Sequence, residues 1–168
     1  MNSWLWRTMI SPAITLRKIR TNFGSFQEVL IFVRIFSLVT ILPVMLRSLS
    51  LPGLMKMLTP LHAKFHRTPD MEEDRNNIVR FTDYILGLNF WIYRTTCLRR
   101  SLVLYHFLRL AGFDVKICFG IRYNGNLPDR EIKKLEGHAW LLYNGNIYLE
   151  KNAEAAGTYK VTYSFPDK

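Results

Sequence analysis

At Gly112 the apolar pattern of the chain changes period, and no other feature limits its possible architectures as much. On the N-terminal side, residues 101–111 read as a helix that starts near Thr95-Thr96-Cys97-Leu98, with a threonine cap before it and a glycine stop after it. On the C-terminal side, Phe113, Val115, Ile117, Phe119 and Ile121 alternate with Asp114, Lys116, Cys118, Gly120 and Arg122, the rhythm of a half-buried strand. A helical repeat does not settle as a strand, nor an alternating one as a helix. The chain therefore has to pack helices on a sheet.

The other segments keep the two classes apart. A helix is expected from Phe26 to about Leu46, capped by Ser25 or Asn22, apolar around most of its circumference, and kinked or ended by Pro43. Its mid-length Arg34 favours a buried or interfacial helix over a spanning one. A short helix follows from Leu51 to Leu58, after the Ser/Pro/Gly break at residues 48–53. Thr68-Pro69-Asp70 opens another, with Glu72, Glu73 and Asp74 in its first turn and Ile78, Phe81, Ile85 and Leu88 on one face, ending near Gly87. Beyond the strand, residues 124–136 read as a polar loop, and His138–Tyr143 and Ile147–Glu150 flank Asn144-Gly145 as a hairpin. Helices precede an antiparallel sheet, so the class is α+β, with a helical segment over 1–68 packed on a core over 69–168.

Charge follows the same division. Residues 1–68 carry nine Lys or Arg against one acid, Glu28, whereas residues 69–168 are nearly balanced. Such asymmetry points to a membrane surface, an acidic partner or nucleic acid. Nucleic acid is disfavoured, because the basic residues are punctuated by Leu, Ile and Met rather than by exposed aromatics. The two cysteines, Cys97 and Cys118, read as free thiols of a reducing compartment, and no signal-peptide order opens the chain. The expected location is cytoplasmic, with residues 1–58 able to meet the inner face of a membrane. His62 and His66 share a helix face but have neither an adjacent Glu nor a third ligand, so no metal and no cofactor are expected.

Cys97 is the strongest candidate for chemistry. It falls in the first turn of an apolar helix, where the macrodipole and free backbone N–H groups favour a thiolate, and Arg94, Arg99 and Arg100 add positive potential. The alternative is a small buried hydrophobe, as mid-strand Cys118 reads. A thiolate nucleophile needs a base. His138, in Gly137-His138-Ala139-Trp140, opens a strand, and Glu150 on the partner strand can orient its ring. Thiol at a helix start, His at a strand start and acid on the next strand is the papain-like order. One oxyanion donor would be the Cys97 backbone N–H, and the second a side chain such as Asn89 or another backbone N–H.

Cys97-Leu98-Arg99-Arg100-Ser101-Leu102, Leu108 to Gly112, Gly120-Ile121-Arg122 and Gly137-His138-Ala139-Trp140 together resemble the transglutaminase-like cysteine proteases of lasso peptide biosynthesis, the leader peptidases that form the protease half of the split B protein. The specific likeness runs from Thr95 to Glu150; the N-terminal part is similar in character only. The resemblance implies a papain/transglutaminase-like core with Cys97 as nucleophile, His138 as base and Glu150 as third member, where the family usually has Asp. It implies hydrolysis of one bond in a precursor peptide through a thioester. It also implies work beside a separate leader-recognition protein and a lasso cyclase, and no winged-helix module is recognisable in the chain. Two other readings stand beside this one: an acyl transferase using the same triad, and a catalytically silent, membrane-associated scaffold subunit.

The hairpin register decides whether Glu150 can serve. A two-residue turn at Asn144-Gly145 would set His138 opposite Lys151 and turn Glu150 to the other face. A three-residue loop, Tyr143-Asn144-Gly145, would set Glu150 directly across from His138, with Cβ atoms about 5 Å apart. The triad favours the three-residue loop; otherwise the orienting group would come from a residue such as Asn126 or Asp129.

Overall fold

A computed structural model describes residues 25–60, 71–88, 93, 95–124 and 134–166. Helix α1, Phe26–Ser48, starts at Ser25, whose Oγ accepts the Gln27 N–H at 3.3 Å. Pro43 lies inside the helix and neither ends it nor shortens it to Leu46. Ile35, Val39, Leu42 and Met45 form one buried stripe across the proline, and this packing outweighs the single lost backbone hydrogen bond. The opposite stripe, Phe26, Leu30, Val33, Ile41 and Val44, is exposed. By length and composition α1 could cross a membrane, with a mean hydropathy of 2.5 over its most apolar window, but one flank is packed on the domain.

Helix α2, Leu51–Leu58, has the expected bounds. Helix α3, Met71–Leu86, carries its acids in the first turn and buries Ile78, Phe81 and Ile85. Leu88 does not continue that face; it is half exposed in the turn that follows Leu86. The cap expected at residues 68–70 and the pair His62 and His66 lie outside the described residues. Helix α4, Cys97–Leu110, has both ends that its sequence signals: Thr96 Oγ1 accepts the Arg99 N–H at 3.2 Å, and Gly112 turns left-handed at φ 92°. Leu102, Val103, Leu104, Tyr105 and Leu108 are fully buried, so α4 is the central helix of the core.

The sheet is antiparallel, in the order β3-β2-β1-β4. Its strands are β1 (Val115–Asn124), β2 (Lys134–Tyr143), β3 (Asn146–Tyr148) and β4 (Lys160–Phe165), with a short helix α5 (Ala153–Gly157) before β4. The expected polar loop over 124–136 is shorter than read: β1 and β2 extend to Asn124 and Lys134, and Arg122 joins Glu136 across the ladder at 2.7 Å. His138 is consequently mid-strand rather than at a strand start. Residues 125–133, and with them Asn126 and Asp129, lie outside the described residues.

Alternation gives the sheet two faces. Val115, Ile117 and Leu141 join α4 and α1 in the main core. Cys118 and Trp140 pack with Ala156 of α5 on the other face, beside Leu142, Ile147 and Tyr159. The result is an α+β fold with helices first and the sheet after.

One partly buried contact makes stability depend on pH. His106 of α4 bonds the Leu58 carbonyl through Nδ1 at 2.7 Å, and burial holds its pKa below the usual histidine value. Between the lowered folded value and the ordinary unfolded one, the unfolded chain binds the extra proton, so stability falls as pH drops through about 6.5. The melting temperature is expected to be lower at about pH 5.5 than at about pH 7.5, and His106→Gln should flatten that difference. Equal slopes in thermal melts of both proteins would count against this account.

Candidate active site

Cys97 is the first residue of α4 and is partly exposed. The segment before it is anchored by Thr95, whose Oγ1 donates to the Leu86 carbonyl at 2.7 Å. One turn along α4, the buried Ser101 hydroxyl donates to the Ala139 carbonyl at 2.8 Å, next to His138 on β2. Cys97 lies on the same helix face, about 6 Å along the axis from Ser101. Arg100, in the first turn of α4, donates through Nη1 to the Leu149 carbonyl at 2.7 Å, next to Glu150. The start of α4 is therefore fastened to the segment that carries His138 and Glu150.

The structure brings His138 and Glu150 together. His138 Nε2 is 3.5 Å from Glu150 Oε2, and both side chains are largely shielded from solvent. Glu150 Oε1 accepts the Lys151 N–H at 3.2 Å, which holds the carboxylate from its other oxygen. The imidazole is flanked by two aromatic rings: Trp140, stacked with its centroid 5.8 Å away, and Tyr159 at 5.1 Å. Opposite His138 on β1 is Gly120, where a Cβ would stand 2.7 Å from the Trp140 ring and 2.9 Å from the Lys160 carbonyl. Glycine here lets Trp140 lie across the strand, and β4 shifts register beside it, between Phe119 and Gly120.

The route to this pairing differs from the one read in the sequence. The hairpin has the two-residue turn, with Tyr143 paired to Asn146, Leu142 to Ile147 and Leu141 to Tyr148. Asn144 and Gly145 are both left-handed, at φ 52° and 80°, which suits the twist of a tight hairpin. The three-residue loop is thus incorrect, and Glu150 is not in the partner strand, which ends at Tyr148. Leu149 supplies the missing half-turn: at φ 56° it leaves extended geometry, breaks the alternation and returns the next side chain to the His138 face. A left-handed leucine has no sequence signal, so this device could not be read beforehand.

The electrostatics around the thiols also need correction. Arg100 is not a free source of positive potential, because Nε and Nη2 hold both Asp83 carboxylate oxygens at 2.7 and 3.1 Å. Arg94 and Asn89 lie outside the described residues. Cys118 is buried, and burial pushes its thiol pKa up, away from reactivity. Helix geometry leaves the first N–H groups of α4 without intrahelical acceptors, a place where an oxyanion can be held. Among the described residues, no three His, Cys, Asp or Glu side chains cluster as metal ligands.

A model of the transglutaminase-like superfamily matches residues 38–164, most of the chain. The chain belongs to that superfamily. The match begins within α1 and ends within β4, so it takes in Cys97, His138 and Glu150. Transglutaminase-like membership supports a cysteine-protease or acyl-transfer activity. No curated protein and no solved structure matches the chain.

Proposed function

We propose that this transglutaminase-like protein is a cysteine endopeptidase that removes the leader from a ribosomally made lasso precursor peptide. The observation that carries the reading is the His138–Glu150 pair, 3.5 Å apart, on the segment fastened to the helix that Cys97 opens. The residue pattern around Cys97 and Gly137-His138-Ala139-Trp140 supports the finer assignment to leader removal.

In this reading His138 takes the proton of the Cys97 thiol, and the thiolate attacks the scissile carbonyl. The N–H groups at the start of α4 hold the oxyanion. The imidazolium then gives its proton to the departing amine, leaving a thioester on Cys97. Water, deprotonated by His138, cleaves the thioester and frees the acid. Glu150 keeps the ring oriented and stabilises its charged form. A separate leader-recognition protein would deliver the precursor, and a cyclase would consume the released core.

Mass spectrometry of the precursor incubated with this protein and the recognition protein is the test. Two fragments whose masses sum to the precursor plus one water are expected, with a transient adduct on Cys97. Products bearing an added amine in place of that water would favour acyl transfer. An unchanged precursor with no adduct would favour the scaffold reading and overturn the protease.

A further inference from the structure

We propose that Arg100 is a positioning residue: held by Asp83, it fixes the Leu149 carbonyl and thereby aims the Glu150 carboxylate at His138. The proposal rests on the triad reading above and deepens it. Continued β3 pairing would place Lys151, not Glu150, opposite His138, because paired numbers advance in step along an antiparallel ladder. Only the left-handed Leu149 reverses that parity. Leucine disfavours this conformation, since its Cβ crowds the backbone, so an outside contact has to hold it there.

Arg100 is that contact. All three of its guanidinium nitrogens are engaged: Nη1 with the Leu149 carbonyl at 2.7 Å, Nε and Nη2 with the two Asp83 oxygens. Asp83 is on α3, so the guanidinium is gripped by one helix, carried by a second and bonded to the loop before Glu150. The side chain is largely shielded, where such charge-assisted forks are strong and directional. Arg100 is three residues from Cys97 in the same turn, so one side chain ties the nucleophile's helix to the loop of the orienting acid. A lysine keeps the charge but cannot make the fork and the third bond together.

The experiment needs no knowledge of the peptide substrate. Alkylation of Cys97 by iodoacetamide is followed across pH in the full chain, in Glu150→Gln, and in Asp83→Asn and Arg100→Lys, with circular dichroism on each. Among the described residues, the other titratable groups facing the site are the Arg122–Glu136 pair and the Tyr159 phenol beside the ring, Cys118 on β1, and Arg99 and Lys151 next to the moving parts. None of them is altered in any variant.

At about pH 6 the native chain should be alkylated faster than an ordinary thiol, because His138 takes the thiol proton in the triad reading, and Glu150→Gln should slow the reaction. Asp83→Asn and Arg100→Lys should slow it in the same way, with a fall of roughly threefold to tenfold in rate near pH 6. If Glu150→Gln slows alkylation while Asp83→Asn, isosteric and with a native circular-dichroism spectrum, leaves it at the native rate, the positioning role is overturned and the triad stands. An ordinary thiol profile in the native chain would instead sink the triad reading itself, and this inference with it.

Discussion

Replacing Cys97 by alanine is expected to remove precursor cleavage, with a loss of roughly 10⁴-fold or more, while Cys118→Ala keeps most of it. The two thiols differ in position and in exposure. Cys97 begins a fourteen-residue helix, is partly exposed and lies one turn from the bond that joins α4 to the strand of His138. Cys118 is 2% exposed, packed with Trp140 and Ala156, and its thiol is pushed up by burial. Fragment yields by mass spectrometry, with thermal melts as a control for folding, separate the cases. An active Cys97→Ala protein beside a dead, folded Cys118→Ala protein would show that the nucleophile has been misplaced.

Gly120→Ala should damage both fold and site, whereas Gly137→Ala should be close to neutral. A methyl at Gly120 meets the Trp140 ring at 2.7 Å and the Lys160 carbonyl at 2.9 Å, so either the ring moves or β4 parts from β1. Overpacking of this kind costs about 1–3 kcal/mol. The melting temperature should fall by about 2–4 °C for each kcal/mol. Trp140 also flanks His138, so in the proposed mechanism cleavage should drop at least roughly tenfold through displacement of the imidazole. At Gly137 nothing stands within 4 Å of an added Cβ. Equal melting temperatures and equal activities for the two variants would refute the argument from close packing.

Legibility in the sequence followed how local each determinant is. The bounds of α4 came from the Thr96 cap and the Gly112 stop, and both are properties of a few adjacent residues. The alternation from Phe113 correctly implied β1 but set both ends two residues early: the strand starts at Val115, and the ladder runs past Arg122 through Tyr123 opposite Leu135 to Asn124 opposite Lys134. The strand β4 was readable and missed: Val161, Tyr163 and Phe165 alternate with Lys160, Thr162 and Ser164. At the candidate site, Cys97, His138 and Glu150 could be put forward as candidates from residue type and order, and the structure brings the last two within 3.5 Å of each other. The Asp83–Arg100–Leu149 chain could not, since it joins three elements distant in sequence and acts through a backbone conformation that leucine does not advertise.

The tight turn at Asn144-Gly145 also sets a rule for insertions and deletions. Between His138 and Glu150 the backbone makes two left-handed departures, one in the turn and one at Leu149, and the acid faces the ring only because their offsets combine. One residue added at the turn would exchange the faces of everything from Asn146 onward, sending Ile147 out of its cluster and the carboxylate away from the imidazole. Two added residues would restore the phase at the cost of a longer loop. Related chains that keep the site should therefore vary the length of this hairpin in even steps, and an odd step should come with a compensating change at the position of Leu149.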